Sequence, residues 1–370
     1  MAEAVLNLEQ QNSSISITYD TNFGPHDDII LLEIDDKLLP HVLNNRVTIR
    51  GNVEEDAVLC TPSTTYALKF VGTTNSVFLI PPFGDVEASV ASVIKVAPGV
   101  MELVEVAPKL EKLKMLLKEN QYNGNEDFME MGESCEIGLY RWDDLVERVQ
   151  ASDVELREGL RAFSAVEING YWRVVEESFM GMVLNMLLHN SVLSGWSLDG
   201  LVENEVVGVL ESDGFLREIA RLCLEMYGDK VEDEVGGGYV WKLNEKRVCV
   251  HFARSVLNEG KMKMESFMEK WMQKIPSGMS VSFEMLEGEV LLEKLGIETW
   301  IRSFSVSSLP LTPAERFAAL FRERQKWESM DLEPYIRDLR VPGLSAEGLL
   351  LKYTRRTQPT ADAEPIFSAR

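Results

Sequence analysis

Residues able to do chemistry are few and scattered. Cys60, Cys135, Cys223 and Cys249 lie far apart, with no C-x-x-C pair and no neighbouring His, so the spacing writes no structural zinc site. His26 and His41 fall in expected loops, and His189 and His251 in helical stretches. None sits near a G-x-S-x-G or a candidate Cys nucleophile, so surface or satisfied core positions are the expectation. The acidic pairs Asp27-Asp28, Asp35-Asp36, Asp143-Asp144 and Glu176-Glu177 have the oxygen chemistry for Mg²⁺. With 60 acidic residues, though, adjacent pairs arise by chance and read as solvated surface. Gly260-Lys261-Met262 lacks the Ser/Thr and the upstream glycine of a nucleotide-binding P-loop. Gly236-Gly237-Gly238 precedes a strand rather than joining strand to helix, which makes it a turn and not a phosphate cradle. The expectation is a chain without an active site and without a cofactor.

The charge points to binding instead. Thirty-seven basic residues stand against 60 acidic, a formal net charge of −23, so the surface as a whole repels phosphate. A nucleic-acid contact therefore needs a local patch. From Arg302 to Arg356 the balance reverses, with about ten basic and seven acidic side chains. Arg337, Arg340, Lys352, Arg355 and Arg356 are the DNA-binding candidates. The helix expected over Ser345–Tyr353 ends in this basic run. Such a helix presents cations to a duplex, but cations at a helix C-terminus also simply stabilise the macrodipole. Few side chains there could read bases bidentately, so any contact should be to backbone and steeply salt-dependent.

The elements that carry these residues change character along the chain. Residues 14 to about 106 read as short strands with turns between them. Examples are Ile15–Tyr19, Val47–Gly51, Ala57–Cys60 and Val77–Ile80, the last stopping at Pro81-Pro82. Tyr66, Leu68 and Phe70 share one face of a further strand, and are candidate partner-binding residues. About ninety residues can just close a small barrel or sandwich; a sheet that does not close leaves an edge for a partner's strand. After Pro108, Lys109–Lys118 has helical spacing, and 120–138 is polar and acidic, a loop or linker. From Arg141 the chain is mostly helical. Val166–Val175 alternates around Asn169-Gly170, the strongest short-range hairpin signal. Helix, helix, hairpin is the order of a winged-helix module, and Tyr171-Trp172-Arg173 at its hairpin could meet a partner or anchor a core. The order recurs loosely to the end.

The fold expected is α+β and multidomain, an N-terminal β-barrel followed by three tandem winged-helix domains. The divisions are 1–106 for the barrel, 107–140 for a helix and linker, and 141–210, 211–284 and 285–370 for the winged helices. The most apolar run, Phe179 to Leu188, is too short to span a bilayer, so no membrane is expected. The first residues, Met1-Ala2-Glu3-Ala4-Val5, lack the basic start of a signal peptide, and the sparse Cys fit a reducing compartment.

Several pieces in order resemble one family. They include Val47-Thr48-Ile49-Arg50-Gly51, Ala57-Val58-Leu59-Cys60, Thr65-Tyr66-Ala67-Leu68-Lys69, Pro108-Lys109-Leu110 through Tyr122-Asn123-Gly124, and Gly170-Tyr171-Trp172-Arg173. Cys223-Leu224, Tyr227-Gly228, Trp271, Pro276, Gly278-Met279, Arg316-Phe317 and Leu320-Phe321 follow. Lys326-Trp327, Pro334-Tyr335-Ile336, Asp338-Leu339 and Leu351-Lys352-Tyr353 complete the set. Together they resemble the "defective in sister chromatid cohesion protein 1" family, accessory subunits of the alternative replication factor C clamp loader.

The resemblance implies an N-terminal barrel shared with a small clamp-loader accessory subunit and with the C-terminal tail of the large clamp-loader subunit. It implies a row of three winged helices that contact DNA and the catalytic subunit of DNA polymerase epsilon. It implies a nuclear, non-catalytic scaffold in DNA replication and sister chromatid cohesion, with ATP hydrolysed by another subunit. The residues alone leave two rivals: a winged-helix scaffold of a proteasome-lid or ubiquitin-ligase type of complex, and an enzyme using dispersed carboxylates with Mg²⁺.

Overall fold

The structure, a computed structural model, describes residues 16–44, 47–81, 90–124, 137–232, 238–339, 341–358, 360 and 363–370. It is a mixed α+β protein with twelve α-helices and several separate sheets among the described residues. The chain divides into two compact units, Met1–Val106 and Ala107–Arg370. No described helix is long and apolar enough to cross a membrane.

The first unit is strand-rich. Its elements are β1 (Ser16–Tyr19), β2 (Leu32–Glu33), α1 (Leu39–Asn44), β3 (Thr48–Arg50), β4 (Val58–Cys60), β5 (Thr65–Leu79), β6 (Val90–Val93) and β7 (Lys95–Glu105). His41 lies in α1 rather than in a loop. Five strands pair in the order β2-β7-β5-β4-β3, and β1 pairs in parallel with β6. Among the described residues the five-stranded sheet is open, ending at β2 and β3. The two long strands set its shape. β5 and β7 run antiparallel with Tyr66 opposite Glu105 and Gly72 opposite Gly99, then slip so that Val77 faces Ala97. Such a slip bends and twists a ribbon. Gly99 permits it, since a Cβ there would lie 2.2 Å from the Val71 carbonyl oxygen. Val58, Leu59 and Cys60 are all buried, so β4 is covered on both faces. Lys95 is buried too, with its ammonium donating to the carbonyls of His26 at 2.6 Å and Ile29 at 2.9 Å.

The second unit repeats one order of elements: helix, short strand or bridge, two helical segments, hairpin. The first pass is α2 (Leu110–Glu119), α3 (Trp142–Arg148), α4 (Asp153–Ala162) and the hairpin β8 (Ala165–Ile168)–β9 (Tyr171–Val174), with Tyr140 bridging to Trp172. Ser152 caps α4 with Glu155 reciprocating. Asn169 and Gly170 both have positive φ, the backbone that a tight hairpin turn requires. The second pass is α5 (Glu177–Ser194), α6 (Glu203–Ser212), α7 (Arg217–Tyr227), β10 (Gly228–Glu232) and β11 (Tyr239–Leu243), with Leu201 bridging to Trp241.

The third pass is α8 (Glu245–Leu257), β12 (Met262–Lys263), α9 (Met264–Lys274), a 3₁₀ turn at Phe283–Leu286, β13 (Val290–Leu295) and β14 (Glu298–Ser303). The fourth is α10 (Pro313–Glu323), β15 (Lys326–Glu328), α11 (Ser329–Leu332), α12 (Ala346–Tyr353), β16 (Thr354–Thr357) and β17 (Ile366–Ala369). Its sheet order is β15-β17-β16.

Packing follows these passes. Leu113 and Leu117 of α2 share a core with Leu145, Val149, Leu156 and Leu160, so α2 belongs with α3 and α4. Leu210 and Glu284, which close two of the expected divisions, lie inside α6 and inside the 3₁₀ turn. The second and third passes share one large core running from Val183 and Leu184 to Phe267 and Trp271. The fourth has its own core around Phe317, Trp327 and Tyr335. The segment Glu333–Leu339 forms a 3₁₀ turn at Glu333–Tyr335, and the Tyr335 carbonyl accepts from the Arg316 guanidinium at 2.8 Å.

Candidate functional site

The basic end of the chain is built by α12 running without a loop into β16. Ser345 starts the helix by accepting the Gly348 N–H at 3.1 Å, and Leu349 anchors it. Thr354 ends it, its hydroxyl donating to the Leu350 carbonyl at 2.6 Å. Lys352 lies in the last turn, its ammonium 5.2 Å from the Tyr353 ring centre. Successive strand residues point to opposite faces. Register therefore places Arg355 in one row with Ser368 and Lys326, and Arg356 in the next row with Phe367 and Trp327. Trp327 and Phe367 are buried while Arg355, Arg356 and Lys326 are exposed. Arg356 donates to the Gln358 side chain at 3.0 Å. Arg370 returns at the end of β17 to donate to the Leu351 carbonyl at 2.8 Å, near Lys352.

The structure thus brings Lys352, Arg355 and Arg356 onto one helix–strand corner and adds Lys326 and Arg370, which local sequence did not single out for this role. Arg337 is held otherwise, facing Glu287 at 3.4 Å and Glu333 at 3.9 Å. Arg340 lies outside the described residues.

The strand face holding Tyr66, Leu68 and Phe70 belongs to β5. β4 covers β5 only over Thr65–Ala67, and β7 pairs with the other edge over Tyr66–Gly72 and again over Val77–Leu79. From Leu68 to Leu79 one edge of β5 therefore faces no described strand. Tyr66 and Leu68 are half-buried and Phe70 is 54% exposed. A long strand margin that no described strand pairs is a template for a further strand.

Tyr171, Trp172 and Arg173 lie on β9, and their side chains turn largely inward. Arg173 is 2% exposed. Its guanidinium donates to the Asn120 side chain at 2.8 Å and to the backbone carbonyls of Asn120 and Gln121, and it lies over the Tyr122 ring. A cation so committed is not presented to a partner; it ties the end of α2 to the hairpin. Trp172 packs on the core of the first pass. Tyr171 accepts a hydrogen bond from Arg141 at 3.0 Å.

The described cysteines and His251 lie in the protein interior. Among the described residues no group of three or more His, Cys, Asp or Glu side chains could hold a metal ion. Burial pushes the Cys223 thiol up to about 12 and the Cys249 thiol to about 11, so neither is a thiolate near neutral pH. Cys60 is also buried, and Cys135 lies outside the described residues. His251 is buried and shares a 2.9 Å hydrogen bond with the Tyr227 hydroxyl. Burial, then the charges of Arg254 and Lys274, hold its pKa down at about 4.

Comparison with known proteins decides the family. Residues 29–336 match the family model described as "Sister chromatid cohesion protein Dcc1". The chain belongs to that family. It is similar to sister chromatid cohesion protein DCC1 of Xenopus tropicalis, 32% identical over 95% of this chain and 92% of the relative. The protein of the same name from Danio rerio is 33% identical over 92% and 90%, and that from Homo sapiens 31% over 95% and 93%. These relatives are named for cohesion and not for a reaction. Of the basic corner, Lys352, Arg355, Arg356 and Arg370 lie beyond the last residue of the family-model match, and Lys326 lies within it.

Proposed function

We propose that the chain is a non-catalytic accessory subunit of an alternative sliding-clamp loader, acting in DNA replication and sister chromatid cohesion in the nucleus. The observation that carries this reading is the match of residues 29–336 to the cohesion family. The open sheet and the basic corner supply the two kinds of contact such a subunit needs.

In this reading the first unit is an incomplete β-barrel. The small clamp-loader accessory subunit and the C-terminal tail of the large subunit complete it along β5, with Tyr66, Leu68 and Phe70 against them. The second unit is a row of winged helices, three by family resemblance, resting on an element order that recurs four times. The row meets the catalytic subunit of DNA polymerase epsilon, with Tyr171 and Trp172 retained as candidate contacts. Lys352, Arg355 and Arg356, joined by Lys326 and Arg370, meet the DNA backbone without reading sequence. Tethering to both DNA and polymerase makes later encounters intramolecular, at an effective concentration of roughly mM for short linkers.

The test is amide exchange on the chain alone and with the two clamp-loader partners. The amides of Leu68–Leu79 that point away from β7 should exchange fast in the lone chain and become protected in the complex. Protection already complete in the lone chain, or no change on mixing, would overturn the shared-sheet reading.

A further inference from the structure

A cleft of about 960 Å³ opens within the second unit, with walls from all four passes. That volume is typical of small-molecule sites and too small for a folded partner. Six cationic side chains line it: Lys114, Lys118, Lys246, Arg247, Arg254 and Arg337. Two helices supply most of them. Lys114 and Lys118 stand one turn apart on α2. Lys246, Arg247 and Arg254 follow one face of α8 from its positive N-terminal end. Like charges at this spacing repel.

Four carboxylates also line the cleft, and each is engaged. Glu289 takes a two-pronged bond from Arg254, at 2.6 and 2.8 Å, and Glu177 lies 3.9 Å from the same arginine. Asp338 takes both prongs of Arg316 at 3.0 Å, and Glu287 faces Arg337. Arg247 is paired with Asp229 at 3.0 Å. What is left over is positive. Lys118 and Lys246 have no hydrogen-bond or ion-pair partner among the described residues, and Lys114 donates only to the Leu309 carbonyl, at 3.2 Å. Burial lowers the pKa of Lys114; the charges of Lys118 and Arg316 add to the lowering, and the carboxylates of Glu111 and Asp338 partly oppose it. A chain with net charge −23 has thus gathered three lysines, two of them without an ion-pair partner among the described residues, around one concavity.

We propose that this cleft is a binding site for a small polyanion carrying two or more phosphate groups, held between Lys114 and Lys118 of α2 and Lys246 of α8. Such a ligand relieves the repulsion along both helices. It also bridges the first pass to the third, and so stiffens the row of modules that the proposed function relies on. The site itself does not depend on that reading, because it uses neither the strand edge nor the basic corner.

The probe is inorganic tripolyphosphate, titrated calorimetrically into the full chain at fixed ionic strength. Saturable binding is expected, weakened at least tenfold in Lys118→Glu/Lys246→Glu and unchanged in Arg355→Glu/Arg356→Glu. Amine-reactive acylation of the wild-type chain, read by mass spectrometry, should show Lys118 and Lys246 shielded by the probe; this readout needs no variant to fold. No saturable binding at millimolar probe, equal affinity in both variants, or unshielded lysines would each overturn the proposal. Displacement of the probe from the cleft lysines by a short duplex would overturn it as well, since the site would then be a nucleic-acid surface.

Discussion

The Glu111 carboxylate accepts the backbone N–H of Leu311 at 3.0 Å, from 200 residues away in sequence. One turn along the same helix, Lys114 donates to the Leu309 carbonyl at 3.2 Å. An acid and a base on α2 thereby bracket Pro310, and fasten the first pass of the second unit to the segment leading into the fourth. A hydrogen bond to a charged group contributes about 1.5–3 kcal/mol when its alternative is an unmet donor. Glu111→Ala should therefore cost about 1–2 kcal/mol, since the site is only partly buried. The amide of Leu311 should exchange faster while those in the middle of α10 do not; exchange measured on the full chain checks this.

Arg316 makes a stronger prediction. It is fully buried, donating to the Pro310 and Tyr335 carbonyls and to both oxygens of Asp338. Removing one member of a buried ion pair typically costs about 3–5 kcal/mol. Arg316→Ala should lose that much in urea unfolding, for it abandons two carbonyls as well as a carboxylate. Asp338→Asn should also destabilise, because it leaves the buried Arg316 guanidinium without its counter-charge, but by less than Arg316→Ala, since the amide oxygen and the Pro310 and Tyr335 carbonyls still accept from it.

His251 gives the protein an acid limb. Its folded pKa of about 4 lies below its ordinary 6.5, so the fold favours the neutral ring. The associated stability is present above pH 6.5 and is lost as pH falls through 6.5 toward 4, by about 3 kcal/mol at about 1.4 kcal/mol per unit. Arg254 and Lys274 face the ring and oppose its protonation. Melting temperature followed from pH 7 to 4 should fall, and His251→Gln should flatten that fall even if it lowers the plateau.

Register separates the effects expected at the basic corner. Arg355 shares its row with Lys326, whereas Arg356 points to the other face. Arg355→Ala and Lys326→Ala should each weaken duplex binding and together lower the log–log salt slope by about two, near one per phosphate contact. Anisotropy titrations across salt read the slope directly. Slopes equal to wild type in the double variant would take the proposed DNA contact away from this face.

Phe70 tests the open margin. Being over half exposed and unneeded by the core, Phe70→Glu should shift stability by no more than about 0.5 kcal/mol. On the proposed shared-sheet reading it should nevertheless disrupt capture of the clamp-loader subunits in a pull-down.

Local signals in the sequence were faithful where the controlling interaction is itself local. Asn169-Gly170 announced its hairpin because both positions need positive φ. Ser345 announced α12 because its hydroxyl serves an N–H three residues on. Tyr66, Leu68 and Phe70 read as a strand face because strand geometry alternates. Arg173 was illegible: a cation in a hairpin looks like surface until Asn120, Gln121 and Tyr122 close over it from 50 or so residues away. Lys326 was missed for the same reason, as it reaches Arg355 only across β17. The helix Leu110–Glu119 was read correctly as a helix, but its core partners Leu145 and Leu156 lie beyond a polar stretch that hid the connection.

Among the described residues the sheet stops at β2 and β3 and leaves one edge of β5 bare from Leu68 to Leu79. If neighbours supply the missing strand, as proposed above, any molecule synthesised in excess of them carries a sticky seam, and stickiness invites clumping and disposal. On that reading, cellular dosage of this polypeptide should follow the scarcest companion and not its own rate of translation.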